Sequence, residues 1–183
     1  MNAPEVIEQM SAQDLFEQLL AHTEPRPGIH GVEHSRRVLD RGRELADATP
    51  GADPLVVAAF AALHDAERRN DGRDPDHGAR AATLARRLAA THILDLEPGQ
   101  LETLCNALER HDRGLVSANA TIGVCWDADR LDLIRIGKTP SIQLLSTPAA
   151  KRRVPEIRSA ILAKEQIRSA ASTAGRDPLE QAG

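Results

Sequence analysis

With 183 residues, of which 41% are hydrophobic and 27% charged, the chain is long enough to bury one real core and lacks the marks of a disordered sequence. A formal net charge of −4 argues against general nucleic-acid binding and against an anionic membrane surface. Two cysteines make no disulfide scaffold, and Met1-Asn2-Ala3-Pro4-Glu5 is neither basic nor followed by a long apolar run, so a cytoplasmic protein without signal peptide or membrane span is expected.

Aromatic residues make up only 2%, with no Tyr. That leaves Ala, Leu, Ile and Val to build the core and favours helices packed closely on small side chains. Ser11 to Ala21 predicts a first helix, capped by Ser11, with Asp14 at the capping-box position and Leu15, Phe16, Leu19 and Leu20 at helical spacing. Glu24-Pro25-Arg26-Pro27-Gly28 breaks it. A second helix runs from Gly31 to Ala48, with Val32, Val38, Leu39 and Leu45 on its apolar side. Asp53 and Pro54 start a third as cap and first helical residue. Its stretch from Val56 to Leu63 is apolar all round and belongs in the middle of a core. That stretch ends in His64-Asp65, a metal-loving imidazole and a carboxylate that a core accepts only when paired. A polar loop follows, as far as Asp76. A fourth helix spans His77 to Thr91, a fifth starts at Pro98-Gly99 and reaches His111, and a sixth runs from Thr121 to Ile136. From Pro140 the chain is punctuated by Pro and Lys/Arg; Ile157 to Ile167 predicts a last helix, and Ser169 to Gly183 reads as frayed. There are no repeats, alternating strand patterns or Gly-rich phosphate loops, so the expected fold class is all-α.

Laid on these helices, six positions stand out: His34 in the second, His64 and Asp65 ending the third, His77 starting the fourth, His111 ending the fifth and Asp129 within the sixth. One ligand or pair per successive helix is how a bundle builds an interior metal site. Mixed imidazole and carboxylate donors suit Mn, Fe, Co, Ni or Zn. A single helix histidine is more often a surface or hydrogen-bonded residue, and His22, His30 and His92 keep that reading, with His30 one turn before His34 and able to support it. Asp127 and Asp132 read as orienting or ion-pairing residues with Arg130 as a candidate partner, and Asp112 as a residue that caps or solvates the turn before Gly114. Cys105 and Cys125 read as small buried residues, Trp126 as a core anchor, and Lys151-Arg152-Arg153 as a solvated run.

His34-Ser35-Arg36-Arg37-Val38, then Leu63-His64-Asp65, then Asp127-Ala128-Asp129-Arg130-Leu131-Asp132 resemble, in that order, the motifs of the HD-domain metal-dependent phosphohydrolase superfamily. The resemblance covers residues 28 to 137. It implies a single-domain helical bundle with an interior metal site over residues 1–145, followed by a helical extension with a frayed end over 146–183. It also implies His34, His64, Asp65 and Asp129 as ligands. His77 and His111 resemble the two further histidines of members that hold two metals, although the loop between Asp65 and His77 is short for such a member. One or two divalent ions are therefore expected, with Asp65 as the bridge in a two-metal site and as a catalytic residue.

Metal-activated water attacking a small phosphorylated substrate is the implied chemistry, with a nucleotide or related phosphoester as the substrate class. Arg68, one turn beyond His-Asp where many members carry Lys or Arg, is the expected catalytic partner for phosphoryl charge, with Arg37 as the weaker alternative. Only Phe16, Phe60 and Trp126 could stack on a base. Two other readings stand beside this one: a diiron oxygenase of the same superfamily, and a non-catalytic sensing or interaction module whose metal is structural.

Overall fold

Short polar side chains set most helix starts in this protein. In the computed structural model, which describes residues 10–24 and 28–174, Ser11 Oγ accepts from the Asp14 amide at 3.1 Å and opens α1 (Ala12–Leu20). Gly31 precedes α2 (Val32–Asp47). Asp53 Oδ1 accepts from the amides of Leu55 and Val56 at 2.9 and 3.3 Å, which starts α3 (Pro54–Leu63) with Pro54 in its first turn. After α4 (His77–Ala90), Glu97 and Gln100 form a capping box at the head of α5 (Pro98–Arg110). Asn119 caps α6 (Ala120–Leu131), and α7 (Pro148–Ala174) closes the described chain. Short 3₁₀ turns span His111–Arg113, Asp132–Ile136 and Ile142–Leu144. No strand occurs among the described residues, so the protein is all-α.

The layout follows from α3. Every residue from Val56 to Leu63 is buried, and α1, α2, α5 and α6 all pack against this one helix, while α4 lies on α5. A helix that is apolar all round has no solvent face to keep, so its neighbours surround it. Ala58, Ala59, Ala61 and Ala62 let them come close. The consequence for function is positional: residues that follow the last turn of α3 emerge in the middle of the molecule. Among the described residues no helix is long and apolar enough to cross a membrane.

Two helix boundaries depart from expectation. The sixth helix stops at Leu131, and Asp132–Ile136 winds as a 3₁₀ turn closed by Gly137 at φ 73°. The last helix is much longer than Ile157 to Ile167 and runs through Pro155. Its start, at a local Thr147-Pro148 cap, is also held by tertiary bonds: Asp127 Oδ2 accepts from the Thr147 amide and hydroxyl at 2.7 and 2.9 Å. Thr147 Oγ1 in turn accepts from the Ala150 amide at 3.1 Å. Pro155 removes one helical donor, but the residue four positions earlier, Lys151, is exposed, so water can serve its carbonyl. The segment from Ser169, expected to be frayed, is helical to Ala174, and residues 175–183 lie outside the described part.

Candidate metal centre

Each candidate ligand arrives from a different element. His34 sits in the first turn of α2, His64 and Asp65 directly follow α3, and His77 opens α4. His111 begins the 3₁₀ turn after α5, and Asp129 lies in the last turn of α6. The fold brings all six together. The Nε2 atoms of His34 and His64 are 3.1 Å apart, with Asp65 Oδ2 at 3.7 and 3.5 Å from them. Asp129 Oδ1 lies 3.3 and 3.8 Å from the same two nitrogens. On the other side of Asp65, the Nε2 atoms of His77 and His111 are 2.8 Å apart, with Asp65 Oδ1 at 3.2 and 3.7 Å. Two triads, His34/His64/Asp65 and Asp65/His77/His111, thus have donors close enough to share an ion, and Asp65 belongs to both.

The outward nitrogens explain why the inward ones are free. His34 Nδ1 bonds Asp132 Oδ2 at 2.7 Å. His64 Nδ1 faces the carbonyls of Phe60 and Ala61 at 3.2 and 3.3 Å. His77 Nδ1 meets the Asp74 carbonyl at 2.5 Å and His111 Nδ1 the Leu108 carbonyl at 2.8 Å. A carbonyl or carboxylate oxygen only accepts, so each Nδ1 carries a proton and each Nε2 is turned inward, a lone pair whenever its ring is neutral. Facing lone pairs repel unless positive charge lies between them. Phe60 stacks on the His64 ring at 5.1 Å and holds it in place.

The ionisation of the centre expresses the same demand. Burial disfavours a charged His34, but hydrogen bonds to Asp129 and Asp132, with the charge of Asp65, outweigh it and raise its pKa to about 9. Burial pushes His64 down to about 4. His111 is raised, because the hydrogen bond to Asp65 and the nearby carboxylate charges overcome its burial. Burial also opposes ionisation of Asp65 and Asp129, yet the imidazoles hold both below the usual carboxylate range, Asp129 at about 2. Ionised carboxylates that hold protons on His34 and His111 mark a standing need for positive charge, which a divalent cation can meet in place of those protons.

Behind His34, Asp132 is only 1% exposed and gathers three guanidiniums. Arg37 Nε, Arg41 Nη1 and Arg135 Nε reach it at 3.0, 2.8 and 2.8 Å. Arg37 gives its Nε to Asp132 and does not line the cleft that opens above the centre. Arg130 makes no direct ion pair with Asp127 or Asp132, although its charge and that of Asp127 favour each other; it donates to the carbonyls of Leu144 and His111 and lies over Trp126 at 5.6 Å. Trp126 is a core anchor, its Nε1 donating to the Ala107 carbonyl at 2.9 Å. Cys105 and Cys125 are buried and unpaired.

A cleft of about 150 Å³ opens above the centre, floored by His34, Asp65, His111 and Asp129. Arg68 lines it and gives its Nε to Asp65 Oδ1 at 3.1 Å. Asp112 also lines this cleft and lies 3.9 Å from His77 Nδ1, a place its proposed capping role did not foresee. His30 is edge-on to His34, 6.0 Å between centroids, and bonds Asp71 at 2.8 Å. His22 bonds the Gln18 carbonyl at the end of α1, and His92 takes a positive φ of 57° after α4, so neither joins the cluster. Sequence reasoning passed over Asp74. Its carboxylate binds Arg80 at 2.6 Å and the Arg69 amide at 2.9 Å while its carbonyl aims His77. The available signal was an Asp before Pro, three residues ahead of a candidate ligand.

A helical bundle with a buried His/Asp cluster on successive helices defines a class, and the comparisons name it. The HD-domain family model matches residues 31–164, well over half of the chain, and the chain belongs to this family. It is similar to the crystal structure of a predicted HD superfamily hydrolase from an uncultured Thermotogales bacterium. The two share 22% identity over 93% of this chain and 99% of the other, with a TM-score of 0.68. That likeness speaks for the fold. No curated protein matches the chain.

Proposed function

We propose that this protein is a metal-dependent phosphohydrolase acting on a small phosphate ester. The observation that carries the reading is the set of four inward Nε2 atoms around Asp65, each ring fixed by an outward Nδ1 bond. His34, His64, Asp65 and Asp129 would hold one divalent ion; Asp65, His77 and His111 would hold a second. Such an ion acidifies water towards neutral pH and polarises a phosphoryl oxygen.

The chain supplies the rest. Asp132 Oδ2 keeps the proton on His34 Nδ1, which preserves the Nε2 lone pair for the centre. Asp65 divides its two oxygens between the two histidine pairs. Arg68, pinned by Nε to Asp65, can turn its remaining donors to charge building on phosphoryl oxygens, a preorganised role that needs no movement of the cation. Phe16, Phe60 and Trp126 are all in the core, so no Phe or Trp ring is left at the cleft to stack on a nucleobase. This favours a compact ester within the broader class of phosphoesters and nucleotides.

The decisive experiment is anaerobic purification with metal analysis, followed by a panel of phosphoesters and nucleotides with Mn, Co, Ni and Mg. Phosphate release that requires the metal is the expected result. Bound iron with O₂ consumption and no phosphate release would favour the oxygenase reading. A retained metal with neither activity would leave a structural site.

A further inference from the structure

The two arginines of the cleft are anchored alike but are not equally free. Arg68 gives Nε to Asp65 and Nη1 to the Gly72 carbonyl at 3.2 Å. Arg135 also lines the cleft and gives Nε to Asp132 Oδ2 at 2.8 Å. Its two Nη groups make no hydrogen bond to any described residue. A guanidinium pinned through Nε with both Nη groups open is a ready fork for an oxyanion, and little rotamer freedom is lost on binding.

Charge points the same way. Asp132 is the one carboxylate within ion-pair distance of Arg37, Arg41 and Arg135 among the described residues. Arg37 and Arg41 hold the same carboxylate from outside the cleft, so Asp132 is shared three ways and offsets only part of the Arg135 charge, while Asp65 and Asp129 lie on the floor among the histidines. Beside Arg135 stand Leu133, Ile136 and Ile29, 37%, 42% and 44% exposed, on the wall of the same cleft. Apolar side chains left open next to an unspent cation suit a short carbon chain that ends in an anion.

The geometry points to Arg135 as a specificity-determining residue that binds a second anionic group of the substrate. That group is joined to the scissile phosphoester by a short aliphatic span lying on Ile29, Leu133 and Ile136. This rests on the phosphohydrolase reading and narrows its substrate class to phosphorylated small carboxylic acids or aliphatic bisphosphates, away from nucleoside monophosphates. The scissile phosphoryl belongs at the Asp65 and Arg68 side of the cleft, the second anion at the Asp132 side.

The test uses matched probes on the metal-loaded protein: glycerol 3-phosphate, 3-phosphoglycerate and propane-1,3-diol bisphosphate. Both kcat/KM and calorimetric affinity are measured. The wild type should favour one or both dianionic-ended probes over glycerol 3-phosphate by about tenfold or more, the worth of a charge-assisted fork. Which of the two leads identifies the second anion as carboxylate or phosphate. Arg135→Ala should bring the ratio close to one, and Arg135→Lys should keep part of it. A wild-type ratio near one, or a preference that survives in Arg135→Ala, overturns the assignment while leaving the hydrolase reading intact. If no probe or other phosphoester releases phosphate, the hydrolase reading falls, and the calorimetric ratios still decide whether Arg135 selects a second anion.

Discussion

At the scale of single residues, the carboxylates of the centre do different work. Asp132 touches no cleft-side nitrogen of the cluster, yet it fixes the tautomer of His34 and neutralises part of three guanidinium charges. Asp132→Asn retains an oxygen that can accept from His34 Nδ1 but loses the charge that makes the bond strong. Metal affinity should fall about 10- to 100-fold, as for other carboxylate–histidine supports, with helical content unchanged by circular dichroism. A metal titration that matches the wild type would show that Asp132 serves only the arginines. Asp65 and Arg68 separate the metal from the chemistry. Asp65→Ala should abolish both metal binding and turnover. Arg68→Ala should keep the metal and lower the rate by about 10²–10³, comparable to removing an oxyanion-hole donor, with Lys restoring only part. Near-normal turnover in Arg68→Ala would return that residue to a structural bond with Asp65 and Gly72.

At the scale of elements, α4 and α5 must approach closely for His77 and His111 to meet. Gly78, next to His77, makes the approach: a Cβ there would run into the Leu108 carbonyl, which is backbone and cannot swing aside. That carbonyl also accepts from His111 Nδ1. Gly78→Ala should therefore force α4 off α5, at a cost of about 1–3 kcal/mol, and loosen the His77/His111 pair before the His34/His64 pair. Denaturant melting with metal stoichiometry checks both parts; an unchanged midpoint and metal content would show that α4 accommodates the methyl by a rigid shift. This packing explains what was legible in the sequence. Helix starts were written locally in Ser11, Asp53-Pro54 and Pro98, and the all-apolar α3 announced the middle of the bundle. The six convergent positions could be named because they sit at helix ends or on helices of clear period and because their motifs resemble those of the HD-domain superfamily, which is what singles out Asp129 from Asp127 and Asp132. Of their outward partners the sequence marks only Asp132, as an orienting residue. The carbonyls of Asp74, Leu108 and Phe60 lie three or four residues before their histidines, but every backbone offers a carbonyl there, so nothing in the sequence marks these ones. The 3₁₀ turn at Asp132 and the early start of α7 are likewise hard to see in the sequence. Tertiary hydrogen bonds to Asp132 and Asp127 help decide them, with Thr147 as a local cap of α7, and propensity alone would have carried one helix on and stopped the other at Pro155.

At the scale of the whole molecule, five elements are tied together by a cluster that requires positive charge, and folding is therefore linked to protons and to metal. In the metal-free protein His34 has a pKa of about 9 against 6.5 for an unperturbed histidine. The folded state then binds the extra proton, so His34 contributes stability below pH 6.5 that is lost as pH rises through about 9. The raised His111 acts in the same direction. His64 opposes them, since its folded value of about 4 withdraws stability as pH falls from 6.5. Metal-free protein should therefore be most stable near pH 6.5. A divalent ion replaces the protons, binds better as they leave, and stabilises the fold by about 2.7 kcal/mol when free metal is a hundredfold above its Kd. Melting curves of chelator-treated and metal-loaded protein between pH 6 and 9.5 should show a gap that widens across the interval from 6.5 to 9. Metal uptake at pH 7.5 should release protons, seen as a buffer-dependent heat in calorimetry. A gap independent of pH, with no proton release, would mean that no proton stands where the ion is to bind, and the cation-demanding centre would have to be abandoned.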